Sequence, residues 1–263
     1  MPHLTGVQMV LAFLSGGVVG FTLGLIGGGG SILAVPLLLY FVGVHDPHVV
    51  IGSTALAVAV NAYLNLVPHW RQGHVRWKAA MAFAIPGAIG AYAGSTLGKL
   101  ANGKVLLFLF AILMLVIAVR MMRSKQNREA GETRRPIRMG RVIPTGLVTG
   151  LVSGFFGIGG GFLIVPGLIF SAGLPMTEAI GTSLFSVGTF GLTTAVSYAI
   201  SGMVDWLIVG LYLGGGLIGG VFGVYACTRI GRNVRRLQQL FSGVLVVVAC
   251  YMLYVNLMAL HWL

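Results

Sequence analysis

The chain has 263 residues, of which 57% are hydrophobic and 8% are charged. A soluble domain carries about a quarter charged residues, so a water-exposed surface is excluded for most of this chain. The net charge of +12 is typical of nucleic-acid binding when basic residues share one solvated face. Here they lie between apolar segments instead, which favours the positive-inside rule of membrane proteins and excludes nucleic acid as a partner.

Apolar segments follow one another along the whole chain. In order they are residues 7–44, 49–68, 77–98, 105–119, 142–174, 179–200, 206–227 and 237–256. About 20 apolar residues are enough for a helix to cross the bilayer core. Two of the segments are longer, and glycine clusters at 27–30 and 157–161 break them. The sequence therefore predicts an all-α polytopic membrane protein.

The order of these segments repeats after a basic segment, Arg120 to Arg141. Residues 27–36 align with 157–166, and residues 52–56 and 73–77 align with 181–185 and 202–206 after one gap. Glycine, proline and tryptophan recur at matching places, which indicates an internal repeat. We predict a first transmembrane repeat over 1–122, a cytoplasmic linker over 123–141 and a second repeat over 142–263.

The basic residues predict how the two repeats are oriented. If each glycine-broken segment is a hairpin, a repeat crosses the membrane five times, or three times when the hairpin is re-entrant. Either odd number inverts the second repeat and places every Lys and Arg except Lys99 and Lys104 inside. We therefore expect two inverted-topology repeats of about five helices each, the first two helices of each forming a glycine-broken hairpin. Both termini are then outside.

The glycine breaks are the predicted substrate site. A half-helix that begins inside the membrane has unpaired amide groups and a positive dipole end, which together favour an anion. Inverted repeats with broken helices are typical of secondary transporters. The candidate substrate-binding residues are these glycines and the hydroxyl pairs that recur after them: Gly29, Gly30, Ser31, Ser53, Thr54, Gly159, Gly160, Gly161, Thr182 and Ser183. Tight turns for the glycines and helix-to-helix hydrogen bonds for the hydroxyls stay open as alternatives.

Other polar residues within or beside the apolar segments are weaker candidates. Asn61 and Asn65 lie one helical turn apart, but Asn61 has no polar counterpart in the second repeat, and we rank it lower. Asp46, Glu178 and Asp205 fall at segment ends, where capping or interfacial roles are expected. The set His45, Asp46 and His48 is interrupted by Pro47 and lacks further ligands, so no metal site is expected. We predict no cofactor and no catalytic set.

These motifs resemble those of the sulfite exporter TauE/SafE family, also called the toluene sulfonate uptake permease family. The resemblance rests on the glycine cluster followed by Val-Pro in both halves, the Gly-Ser/Thr-Ser/Thr that follows, and Gly-x-Val-Asp/Arg-Trp. It extends from about Gly16 to Leu257, with Ser31 and Arg76 as departures in the first half. The resemblance implies movement of sulfite or an organosulfonate across the cytoplasmic membrane of a bacterium.

The expected function is a secondary transporter of a small anion that works by alternating access in the lipid bilayer. A passive anion channel is the alternative, and an enzyme is not expected. The sequence leaves open proton or sodium coupling and a homodimer.

Overall fold

The structure is a computed structural model that describes residues 4–123, 139–157, 159, 161–230 and 234–260, and all regular structure within these ranges is helical. The α-helices are α1 (Gly6–Ile26), α2 (Ala34–Pro36), α3 (Pro47–Arg71), α4 (Trp77–Leu100), α5 (Gly103–Arg123), α6 (Met139–Phe156), α7 (Gly161–Ala172), α8 (Met176–Ile200), α9 (Trp206–Ile230) and α10 (Val234–Leu260). A 3₁₀ helix, Gly27–Leu33, precedes α2, and a π-helical turn, Leu37–Phe41, follows it. The all-α prediction is confirmed for the described residues.

Five of the described helices are long and apolar enough to cross a membrane: α1, α3, α4, α8 and the part of α9 from Trp206 to Ala226. Shorter apolar helices complete each half. They include Gly30–Phe41, Gly103–Val119, Gly140–Phe156, Gly161–Ala172 and Ser242–Met258. The predicted linker falls largely on residues 124–138, outside the described part of the chain.

Local sequence signals explain where several helices begin. Thr5 and Gln8 form a capping box at the start of α1. Asp46 accepts hydrogen bonds from the amides of His48 and Val49, and Pro47 occupies the first position of α3. Asp205 accepts from the amides of Leu207 and Ile208 at the start of α9. The predicted capping roles of Asp46 and Asp205 are confirmed.

Glycines with positive φ end the helices at matching places in the two halves. Gly27 (φ 72°) and Gly157 (φ 68°) begin the two breaks, and Gly73 (φ 75°) and Gly202 (φ 71°) follow α3 and α8. This left-handed conformation is unfavourable for residues with a Cβ atom. The glycines at these points are therefore required by the chain path.

The first glycine break reverses the chain into a hairpin. Gln8, in the first turn of α1, donates from its side-chain nitrogen to the carbonyl of Val42, 3.2 Å away. The segment from Gly27 to Phe41 therefore returns along α1 to the level where α1 began. The chain around the first break therefore forms a hairpin whose two ends lie together.

Close glycine contacts join the two halves. The contacts are formed by Gly16, Gly20 and Gly24 of α1 with α9, and by Gly146, Gly150 and Gly154 of α6 with α4, and we call these six residues the glycine frame. A Cβ atom added at any of them would collide with backbone of the facing helix. In lipid, where apolar surface gives little driving force between helices, such close approach is a main source of association.

Helices α3 and α8 pack side by side in the centre, with the start of each near the end of the other. Gly52, near the start of α3, lies against Tyr198 of α8, and Gly181, near the start of α8, lies against His74 just beyond α3. The share of buried residues in these two helices, 72% each, is the highest among the candidate spans. The chain therefore places α3 and α8 inside the bundle.

Gly94 tests the importance of close packing. A Cβ atom there would collide with the Leu151 carbonyl of α6, as expected for the packing role that the sequence predicts. We expect Gly94→Leu to lower the free energy of unfolding by about 3 kcal/mol or more, because backbone atoms cannot yield as side chains do. Gly210→Leu is the matched control, since nothing lies within 4 Å of its added Cβ. Thermal unfolding in detergent measures both, and equal stability of the two variants contradicts the packing role.

Candidate substrate site

The two glycine breaks meet in the interior. The backbones of Gly28 and Gly161 touch so closely that a Cβ atom on either would collide with the other. Gly159, with φ at 67°, lies next to Val58 in the middle of α3 and Val187 in the middle of α8. Gly29 and Gly30 lie in the 3₁₀ segment. The candidate Gly160 lies outside the described residues.

Two of the candidate hydroxyls lie at this meeting point. Ser31 donates from Oγ to the carbonyl of Gly28 at 2.9 Å. The amide of Gly28 lies 3.4 Å from Oγ of Ser183, which donates in turn to the Ile180 carbonyl at 2.7 Å. Both serines are fully buried. The first break is therefore bound to α8 through the hydroxyl of Ser183.

Each hydroxyl pair lies next to the glycine break of the other half. Gly27 faces Ile180, just before Thr182 and Ser183, and Gly157 faces Ile51, just before Ser53 and Thr54. The pairs themselves lie near the starts of α3 and α8, at opposite ends of this helix pair. The structure thus brings Ser31, Ser183 and Gly161 together, and it separates Ser53 from Thr182.

Ser53 and Thr182 bind backbone at equivalent places. Oγ of Ser53 accepts from the amide of Asp205 at 2.9 Å, and Oγ1 of Thr182 accepts from the amide of Arg76 at 3.0 Å. These two amides precede α9 and α4. Thr54 donates back to the Val50 carbonyl in its own helix. Ser53 thereby connects α3 to the start of α9, and Thr182 connects α8 to the start of α4, each in the opposite half.

An ion pair lies at the end of the bundle where α3 ends and α8 begins. Arg76 donates to both carboxylate oxygens of Glu178, at 2.7 Å from Nε and 2.6 Å from a terminal nitrogen. The hydrogen bonds and the negative charge of Glu178 raise the pKa of Arg76. Its counterpart Asp205 instead accepts from the first amides of α9, so the equivalent positions make different contacts in the two halves. Among the described residues, no group of three His, Cys, Asp or Glu side chains is arranged to hold a metal ion.

A cavity of 330 Å³ lies between α3 and α9. Asn61 and Asn65 line it from α3, and Gly216 lines it from α9. Asn61 is 1% exposed, and neither polar atom of its side chain has a hydrogen-bond partner. The sequence interpretation ranked Asn61 low because its counterpart, Phe190, is apolar. That difference between the halves is the signal that could have identified the cavity.

Several apolar helices around two discontinuous segments define a multi-pass membrane protein. The chain belongs to the sulfite exporter TauE/SafE family, whose pattern matches residues 12–252. The expected resemblance is thereby confirmed. A probable membrane transporter protein of Xylella fastidiosa is 46% identical over 253 residues, covering 95% of this chain and 97% of that protein. No solved structure matches the chain.

More distant relatives are also named as probable membrane transporter proteins. The probable membrane transporter protein YunE of Bacillus subtilis is 28% identical, covering 94% of this chain and 97% of its own length. A probable membrane transporter protein of Haemophilus influenzae is also 28% identical, with 93% and 97% covered. The family is therefore one of membrane transporters.

The hydroxyl contacts predict an effect on stability. Ser53→Ala and Thr182→Val each leave one backbone amide without its acceptor, which costs about 1 kcal/mol in the free energy of unfolding. Thr54→Val is the control, because its hydroxyl bonds only to carbonyls of its own helix, and we expect a smaller loss. Thermal unfolding in detergent gives the comparison. Wild-type stability in the first two variants would contradict their structural role.

Proposed function

We propose that this protein is a secondary transporter that moves a small anion, such as sulfite or an organosulfonate, across the bacterial cytoplasmic membrane by alternating access. The contact between Gly28 and Gly161 is the observation that carries the proposal. It joins a discontinuous segment of each half at one interior point, in a family of transporters. Irregular backbone at membrane depth is typical of sites that bind and release a solute.

Helix ends at this point favour an anion. Helix α7 begins at Gly161, and the 3₁₀ segment begins at Gly27. The positive end of an α-helix dipole, about half a unit of charge, stabilises an anion without a buried cation. No Lys or Arg occurs among residues 1–46 or 142–178. A site without a fixed cation avoids a large desolvation cost when it is empty, which helps release.

Anion specificity can be tested by ligand-induced stabilisation. We expect sulfite or methanesulfonate to raise the melting temperature of the purified protein, because a ligand that binds only the folded state stabilises it by mass action. Matched amines and sugars should have no effect. A response limited to cations or neutral solutes contradicts the proposed substrate class.

Ser31 and Ser95 provide a matched pair for locating the site. Both are fully buried, and both donate to a carbonyl three residues earlier, at 2.9 Å and 2.8 Å. Ser31 lies at the break and Ser95 lies in α4. Ser31→Ala should weaken the response to the anion by about tenfold in Kd, the loss of one hydrogen bond to a charged group, whereas Ser95→Ala should not. Equal affinities in the two variants place the ligand elsewhere.

We further propose that the two halves are inverted-topology repeats with both termini outside. The hairpin ends at Gln8 and Val42 lie together, which supports a hairpin in the first half and therefore an odd number of crossings. The equivalent hydrogen bonds of Ser53 and Thr182 support a two-fold relation between the halves. The positive-inside rule then places Arg71 and Arg76 in the cytoplasm. Proton or sodium coupling and a homodimer remain predictions of the same proposal.

Gln72 and Ser201 test the inversion, because they occupy equivalent positions after α3 and α8 and both are exposed. On a background that lacks Cys227 and Cys250, Ser201→Cys should react with an impermeant thiol reagent in intact cells. Gln72→Cys should react only after permeabilisation. Labelling of both positions from outside contradicts inverted repeats.

A further inference from the structure

The cavity between α3 and α9 is lined by Asn61, a position at which the two halves differ. Asn61 aligns with Phe190, whose ring lies against Gly87 and stacks on Phe83 with ring centroids 6.2 Å apart. In the first half, the smaller Asn61 faces the equivalent glycine, Gly216. Where the second half has a packed aromatic ring, the first half has open space and an amide.

The side-chain amide of Asn61 lacks hydrogen-bond partners although it is buried in the protein interior. Both its nitrogen and its oxygen are buried without a hydrogen bond. An unsatisfied buried polar group costs about 1–3 kcal/mol, and polar residues inside membrane proteins commonly face a solute pathway. Asn65, 6% exposed, lies one turn further along α3 and lines the same cavity. The two amides are therefore available to a ligand.

The polar face of α3 continues towards the basic end of the bundle. His69, 4% exposed, follows Asn65 by one more turn, and its ring lies 6.0 Å from that of His74 between centroids. Gln72, at the end of α3, lines the cavity next to the exposed Arg71. Positive charge at this end attracts anions and disfavours cations.

The remaining walls are apolar. Leu64, Leu217 and Val221 line the cavity and are also exposed on the outer surface of the bundle, Val221 to 70%. The volume of 330 Å³ is many times the space that a single water needs. A bare oxyanion is much smaller and would leave the apolar walls in contact with water. The cavity has room for an organic group as well.

We propose that this cavity binds a monovalent organic anion, with its head on the amides of Asn61 and Asn65 and its apolar group against Leu217 and Val221. This inference rests on the proposed transport of a small anion and assigns that anion a second site, in addition to the meeting point of the breaks. Among the described residues, no charged side chain lines the cavity, and a divalent ion would lose too much hydration beside uncharged groups. A phospholipid fits poorly, because it would place acyl chains beside the unpaired amide of Asn61.

The test compares ligands and variants by calorimetry on purified protein. Propane-1-sulfonate is the probe, and sulfate and propan-1-ol are the matched ligands that lack its apolar group or its charge. Asn61→Phe fills the cavity with the side chain that the other half already accommodates. Val221→Trp fills it from the exposed surface, where folding is least affected. Thr194→Val is the control, since Thr194 is the counterpart of Asn65, is buried and has an unpartnered hydroxyl.

We expect the wild type and Thr194→Val to bind propane-1-sulfonate better than sulfate or propan-1-ol. Asn61→Phe should weaken that binding at least about tenfold, as for a lost hydrogen bond to a charged group, and Val221→Trp should also weaken it. Unchanged binding in both variants overturns the cavity site and leaves the proposed transport intact. Equal binding of propan-1-ol and the sulfonate contradicts the requirement for an anionic head. A phospholipid that copurifies with the wild type but not with Asn61→Phe, and that propane-1-sulfonate does not displace, would show that the cavity binds lipid instead. Absence of any anion binding to the wild type instead contradicts the proposed function itself.

Discussion

Close backbone contact between helices of opposite halves is the constraint on which the rest of the structure depends. The glycine frame leaves no space for side chains where α1 meets α9 and where α6 meets α4. Helices held this closely in lipid are bound by dispersion contacts along their whole shared length. The helix before each glycine break, α1 or α6, is thereby fixed against the other half, and the two breaks that follow meet at one point.

The breaks are possible because their backbone groups find partners inside the protein. An exposed loop at this depth would leave amides and carbonyls unpaired in hydrocarbon. Here Gly28 lies within reach of Ser183, and Ser31 satisfies a carbonyl of the same turn. Such hydroxyl contacts involve no net charge, so they can be exchanged for a ligand at low cost. The same residues can therefore close the empty site and contribute to a filled one.

Much of the fold was predictable, because apolar length and glycine breaks are properties of the sequence. The helices fall close to the predicted segments, and the hairpin forms where Gly27 interrupts the first of them. The path of the first returning arm was not predictable, since the 3₁₀ and π-helical turns around α2 depend on packing. The contacts of Ser53 and Thr182 were also unpredictable: both hydroxyls accept from amides that are distant in sequence. The cavity at Asn61 was not predictable from the repeat, because the amide has no polar counterpart in the second half, where Phe190 occupies the equivalent position.

In the proposed mechanism, the bundle alternates between two conformations around the meeting point of the breaks. Solute counterflow in proteoliposomes tests it most directly, with purified protein, a labelled short-chain sulfonate outside and a high concentration of the unlabelled anion inside. An alternating-access transporter exchanges bound anions, so the labelled anion should accumulate transiently above its external concentration. A flux that only dissipates the gradient, with no accumulation and no saturation, would show a channel and contradict the proposal.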